Sequence, residues 1–135
     1  MSGECQPAPA GRPEAAERTV LVVEDEVILR MAVSAHLRDA GFIVIEAVSA
    51  DEAVELVSAN RAIQLVFSDV MMPGTMDGSE LAAWIGERHP EVRVLLASGV
   101  DHSGPQPFIA KPYSFTELQQ RIERMLPVLA ADQPI

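Results

Sequence analysis

Two apolar runs in this chain end in acids. Ile63-Gln64-Leu65-Val66-Phe67 is followed by Ser68 and closed by Asp69, after which Val70-Met71-Met72-Pro73-Gly74 turns the chain. Thr19-Val20-Leu21-Val22-Val23 ends in Glu24-Asp25-Glu26. β-Branched and aromatic runs bounded by Pro and Gly read as buried strands, so the pattern predicts carboxylates delivered to one end of a sheet. Two further apolar segments end in useful polar groups: Val92 to Ala97 leads into Ser98, and Phe108 to Ala110 leads into Lys111. Carboxylates gathered in a partly buried place repel one another unless a positive charge holds them. A hard divalent cation does this, and Mg²⁺ is commonly bound by one or two carboxylates with waters and phosphate. With an ammonium from Lys111 and a hydroxyl from Ser98, the set is equipped for phosphoryl transfer. Asp69 is the nucleophile, forming an aspartyl-phosphate, and the cations stabilise charge on the phosphoryl oxygens. Taken singly, each residue has a plainer role: Glu24 and Asp25 open a helix, Asp69 forms a turn, and Lys111 is a solvated lysine. Only their meeting at one place carries the chemistry.

Whether they meet depends on the elements around them. After the first strand, Val27, Ile28, Met31 and Leu37 recur at helical spacing, with Gly41 as the stop. Phe42 to Ala47 reads as a second strand. Ser49 and Glu52 form a capping-box pair before a second helix, and Asp77 with Glu80 repeats it before a third, which Pro90 ends. Ser114 and Glu117 cap a final helix carrying Leu118, Ile122, Met125 and Leu126 on one face. Strands alternating with helices imply a parallel sheet covered on both sides. The expectation is an α/β three-layer sandwich of flavodoxin-like type, with a five-stranded parallel sheet in the order 2-1-3-4-5. In that order the first and third strands are neighbours, and a crevice opens at their carboxyl ends. Glu24, Asp25, Asp69, Ser98 and Lys111 all leave the sheet along that edge.

Bulk properties narrow the field. The 135 residues suffice for one domain with a real core, and 48% hydrophobic against 4% aromatic residues mean a core of Val, Leu, Ile, Ala and Met. A formal net charge of −10 argues against nucleic acid, which is bound through Lys and Arg, and against an anionic membrane surface. No apolar stretch approaches the ~18 residues of a membrane span, and no signal peptide is apparent. The lone Cys5 has no internal disulfide partner. Cytoplasmic location follows as an expectation. Residues 1–18, rich in Pro, Ala, Gly and charge, read as a disordered tail, 19–129 as the folded domain, and 130–135 as a flexible C-terminus. His36, His89 and His102 are too dispersed for a metal site, and Trp84 and the Met side chains read as packing.

At this point the chain resembles a known family, the receiver domain of bacterial two-component response regulators. The resemblance rests on Val-Leu-Val-Val-Glu-Asp-Glu (20–26), Asp-Val-Met-Met-Pro (69–73) with Met-Asp-Gly (76–78), Ala-Ser-Gly (97–99) and Lys-Pro-Tyr (111–113), and spans Thr19 to Leu126, essentially all of the folded chain. It implies that Asp69 takes phosphate from a phosphohistidine on a sensor histidine kinase or histidine phosphotransfer protein. It implies that Asp25 and Asp69 ligate Mg²⁺, that Glu24 acts through water, and that Met71 lends its backbone carbonyl. Ser98 takes the place of the switch hydroxyl, Lys111 of the lysine that pairs with the phosphoryl group, and Phe108 of the switch aromatic. Lys111-Pro112 resembles the family's cis peptide.

Two stretches depart from the family pattern. Gly99 to Pro107 is too short for an ordinary parallel crossover and shows no helical periodicity, so the family's fourth helix is expected to be missing or reduced. That counts against the usual dimer through this region, and a monomer or weak dimer is expected. The Pro-Gly-Thr-Met-Asp-Gly loop holds one residue more than the common Pro-x-Met-Asp-Gly, which predicts a local bulge. The reading that follows is a stand-alone phosphoacceptor switch, not a turnover enzyme, whose output is contact with an unknown downstream protein. Its competitors are a Mg²⁺-dependent phosphatase with an aspartyl nucleophile, which ordinarily needs a second acid where Met71 stands, and a pseudo-receiver that binds without phosphorylation.

Overall fold

The structure, a computed structural model, describes residues 17–99 and 104–127. Most of the tail expected over 1–18, the 130–135 terminus, Cys5 and His102 lie outside the described residues. The elements follow in the order β1 (Thr19–Val23), α1 (Val27–Asp39), β2 (Ile43–Ala47), α2 (Ala50–Ala59), β3 (Ile63–Asp69), α3 (Gly78–Arg88), β4 (Arg93–Ser98), β5 (Phe108–Ala110) and α4 (Phe115–Met125). All pairings are parallel and the sheet order is β2-β1-β3-β4-β5. This is the predicted topology, with β1 and β3 as neighbours.

Alternation along each strand splits the core into two layers. Val20, Val22, Leu65, Phe67, Leu95, Ala97 and Ile109 face α1 and α4, meeting Val33, Leu37, Leu118 and Ile122. Leu21, Val23, Val66, Val94 and Leu96 face α2 and α3, meeting Ala53, Val57, Leu81 and Ile85. Leu21, Leu37, Leu65 and Leu81 are each fully buried, and burial of such a side chain contributes about 2 kcal/mol. Trp84 packs against the second layer, as expected.

Helix ends follow local chemistry. Gly41 takes φ +100°, its N–H bonds the Arg38 carbonyl, and the Phe42 N–H bonds the Leu37 carbonyl. This is the closing geometry of a Schellman motif, sealed by Phe42 and Leu37 in one cluster. Asp77 and Glu80 form the expected reciprocal capping box on α3. The box expected on α2 is only half formed. Ser49 Oγ accepts from the Glu52 N–H, but the Glu52 carboxylate reaches past the cap to the Val48 N–H at 2.7 Å. Phe42 precedes the second strand, and the fourth runs one residue later than Val92–Ala97.

Between β4 and β5 the described residues, Gly99 and 104–107, contain no helix, and 100–103 lie outside the described residues. α4 therefore stands where the family pattern puts a fifth helix. The first turn of α1 also differs from a simple core helix. Val27, Ile28 and Met31 are exposed at 54%, 77% and 59%, and the buried residues of that helix are Val33, Ser34 and Leu37.

Candidate functional site

Asp69 is the last residue of β3 and pairs in register with Ala97 of β4. Its backbone is locked: the Ser68 hydroxyl donates to its carbonyl at 2.9 Å, and the next N–H, of Val70, donates to the Ala97 carbonyl at 3.0 Å. The carboxylate is 8% exposed with its residue and both of its oxygens are engaged. Lys111 Nζ donates to Oδ2 at 2.5 Å, and the Met71 N–H donates to Oδ1 at 3.2 Å. Lys111 reaches it because β5 ends beside β4: the Lys111 N–H bonds the Ser98 carbonyl at 2.8 Å, and the next peptide bond, Lys111-Pro112, is cis.

The acids of β1 close the other side. Glu24 is buried while Asp25 is exposed. Burial first, and then the charges of Asp69 and Asp25, raise the Glu24 carboxyl above the ordinary carboxylate range, against the lowering effect of a hydrogen bond from the Glu26 N–H. That Oε2···H–N bond is 3.0 Å long. Tyr113, edge-on to Phe67 at 5.7 Å, is pushed up to about 12 by burial and by the charges of Glu24 and Asp69. Glu24, Asp25 and Asp69 thus share one negative field, opposed among the described residues by the Lys111 ammonium on Asp69 and the Arg30 guanidinium on the Glu24 carbonyl.

Among the described residues no group of three or more acidic, His or Cys side chains converges closely enough to hold an ion by protein alone. The donor set suits Mg²⁺ all the same, because that ion keeps several waters and takes only one or two carboxylates. An under-compensated acid cluster beside a partly buried Asp69 is chemically suited to such a cation.

The other predicted residues are placed as follows. Ser98 is buried at the end of β4, one residue beyond the partner of Asp69. Met71 presents its backbone to Asp69 and leaves its side chain 76% exposed. Phe108 pairs in register with Leu96, packs against the layer under α3, and its carbonyl accepts from Arg121 at 2.9 Å. His36 bonds Gln119 on α4 and His89 sits at the end of α3 beside Trp84, both away from the acids. In the loop expected to hold an extra residue, Gly74 takes φ +112°, and Thr75 Oγ1 ties the loop to the Asp51 carboxylate at 2.9 Å.

Two supporting residues were not singled out from sequence. Gly78 opens α3 against the Asp69 backbone: a Cβ there would lie 2.2 Å from the Asp69 carbonyl oxygen. Its place in Met-Asp-Gly was the available signal. Arg30 donates to the Glu24 carbonyl at 2.9 Å and to Glu46 Oε1 at 3.1 Å, and no motif flagged it.

A family model for the response regulator receiver domain matches residues 20–123. The sensor kinase CckA of Brucella abortus is 33% identical over 118 residues, covering 80% of this chain and 12% of that protein. The transcriptional regulatory protein PdtaR of Mycobacterium tuberculosis is 33% identical over 132 residues, covering 91% of this chain and 62% of that protein. The chain therefore spans less than two thirds of either relative. Among solved structures, the receiver domain of the hybrid histidine kinase CckA is 32% identical, with a TM-score of 0.71 over 80% of this chain and 98% of that one. TrrA of Thermotoga maritima, solved in complex with Mg²⁺-BeF, is 23% identical and supports the fold alone, with a TM-score of 0.72 over 80% of this chain and 98% of that one.

Proposed function

The chain belongs to the response regulator receiver domain family, and from that membership we propose that Asp69 accepts a phosphoryl group in a Mg²⁺-dependent relay. The donor in this reading is a phosphohistidine on a sensor histidine kinase or histidine phosphotransfer protein. The observation that carries it is the setting of Asp69: a carboxylate at a sheet edge, held by Lys111 at 2.5 Å and by the Met71 N–H at 3.2 Å, beside the raised Glu24 carboxyl.

Transfer breaks the P–N bond of the phosphohistidine and forms a P–O bond to an Asp69 carboxylate oxygen. The carboxylates of Asp25 and Asp69, the Met71 carbonyl, and Glu24 through water are the groups that would hold Mg²⁺. When bound, the ion offsets negative charge on the transferring phosphoryl group. Lys111 pairs its ammonium with a phosphoryl oxygen, and Ser98 offers its hydroxyl from the end of the neighbouring strand. Phe108, the proposed switch aromatic, lies two strand residues before Ala110, the register partner of Ser98, so a shift at Ser98 is passed along β5.

The surface around the site supports a protein donor. Five of the six exposed large apolar residues among those described, Val27, Ile28, Met31, Val48 and Met71, come from segments that leave the carboxyl ends of β1, β2 and β3; the sixth, Ile43, opens β2. Beside them lies a groove of about 370 Å³ lined by Leu29, Lys111, Pro112, Tyr113 and Phe115. Exposed apolar groups gathered at one end of a sheet suit a contact surface for a protein partner. In this reading the protein turns over no small substrate and signals by protein contacts. Among the described residues no helix is long and apolar enough to cross a membrane. Intact-mass spectrometry after incubation with acetyl phosphate tests the reading. One phosphoryl adduct that forms with Mg²⁺ and fails to form with a chelator supports it, and steady hydrolysis of unrelated phosphoesters contradicts it.

A further inference from the structure

Three hydrogen bonds fix the turn that carries Asp25. The Glu24 N–H donates to the Ala47 carbonyl at 3.0 Å, the Glu24 carboxylate accepts from the Glu26 N–H at 3.0 Å, and the Glu24 carbonyl accepts from Arg30 Nη1 at 2.9 Å. The last of these sets the plane of the peptide joining Glu24 to Asp25. Arg30 is held in turn: its Nε donates to Glu46 Oε1 at 3.1 Å, and its side chain is only 13% exposed. Glu46 is steadied from a second side by Arg38, whose Nη1 lies 3.2 Å from Oε2 while Nη2 bonds the Val44 carbonyl. A charge-assisted chain therefore runs from the edge strand β2 through Arg30 to the acid turn. Such bonds are short and strong when partly buried.

We propose that Arg30, anchored by Glu46, is a positioning residue for the metal-ligating turn Glu24–Asp25. The proposal rests on the Mg²⁺ reading above. The described partners of Arg30 are Glu46 and the Glu24 carbonyl, not Asp69; its bond to that carbonyl orients the peptide from which Asp25 projects. Charge and position make opposite forecasts. A guanidinium near a divalent cation weakens cation binding by repulsion, so by charge alone its removal strengthens Mg²⁺ binding. If Arg30 holds the turn, its removal weakens binding, as the loss of an outer partner of a metal ligand does by about tenfold or more.

The test is Mg²⁺ titration by calorimetry on the whole chain for Arg30→Met, Arg30→Lys and Glu46→Gln, with amide hydrogen exchange at Asp25 and Glu26 measured without metal. Arg30→Met is expected to weaken Mg²⁺ binding about tenfold and to speed exchange at both amides. Glu46→Gln, which leaves every residue at the site in place, is expected to shift both in the same direction by less. Arg30→Lys, which keeps one donor and the charge, is expected to fall between wild type and Arg30→Met. A folded Arg30→Met protein that binds Mg²⁺ as well as or better than wild type, with unchanged exchange, overturns the proposal. Should Arg30→Met fail to fold, unchanged affinity and exchange in Glu46→Gln overturn it instead. Should wild type bind no Mg²⁺, the function proposed above falls, and the metal-free exchange still decides whether Arg30 holds the turn.

Discussion

A Cβ placed on Gly78 would sit 2.2 Å from the Asp69 carbonyl oxygen and 2.9 Å from the carbonyl carbon. The start of α3 is packed directly on the backbone of Asp69, the proposed acceptor, and the atoms a Cβ would meet there are main chain, which cannot swing aside. Gly78→Ala is expected to lower unfolding free energy by about 3 kcal/mol, the upper part of the range for overpacking, and to slow phosphorylation of Asp69 in whatever protein remains folded. Gly86, in the same helix and with no described atom outside that helix's own backbone within 4 Å of its Cβ position, is the control. Gly86→Ala is expected to stabilise by about 0.5–1 kcal/mol through helix propensity. Urea denaturation of the pair gives both signs.

Tyr113 is the only tyrosine in the chain, so tyrosinate absorbance reports its titration alone. Burial and the charges of Glu24 and Asp69 push it up to about 12 from 10. The folded state therefore keeps a proton that the unfolded chain releases above pH 10. Its stabilising contribution is complete below that pH and is lost as pH rises toward about 12. An absorbance titration is expected to show the raised midpoint in wild type and a lower one in Asp69→Asn. Thermal melts of Tyr113→Phe are expected to lose the part of the alkaline destabilisation that Tyr113 causes.

Glu24 carries the opposite practical consequence at neutral pH. Its carboxyl is raised above 4.5 by burial and by neighbouring acids, so ionising it costs the metal-free fold free energy. That group's stabilising contribution is present below the unfolded pKa and lost as pH rises through the folded one. Glu24→Gln, whose amide oxygen can still accept from the Glu26 N–H, is expected to raise the melting temperature at pH 7 without metal. The gain is expected to vanish below about pH 4, where both side chains are neutral. The same substitution is expected to weaken Mg²⁺ binding. A melting temperature unchanged at both pH values would contradict the account of the acid cluster.

Ser34 is fully buried in α1 and its hydroxyl has no hydrogen-bond partner among the described residues. An orphaned hydroxyl carries a desolvation cost of about 1–3 kcal/mol with no return. Ser34→Ala is expected to leave function intact and stabilise the fold by about 1 kcal/mol, measured as a rise in the urea midpoint at constant slope.

The sheet order and the five polar residues at its edge were legible in the sequence because each depends on a local pattern. An apolar strand of known period ends, and the next residue is where the chain leaves the sheet. Asp69, Glu24, Ser98 and Lys111 all follow from that rule. What the sequence did not show depends on distant pairs or on rotation. Arg30 and Glu46 are 16 residues apart and meet only because α1 lies along β2. Val27, Ile28 and Met31 continue the apolar periodicity of α1, yet they stay exposed. The Glu52 carboxylate accepts from the Val48 N–H and not from its expected capping partner, the Ser49 N–H. The residues at the edge were readable, and the groups that aim them were not.

Borohydride reduction of the protein after acetyl phosphate treatment converts an aspartyl-phosphate to homoserine, and peptide mapping then locates it. The account predicts homoserine at position 69, formed only when Mg²⁺ is present. Homoserine at Asp25 or elsewhere, or none in protein shown to be folded and to bind Mg²⁺, would contradict it.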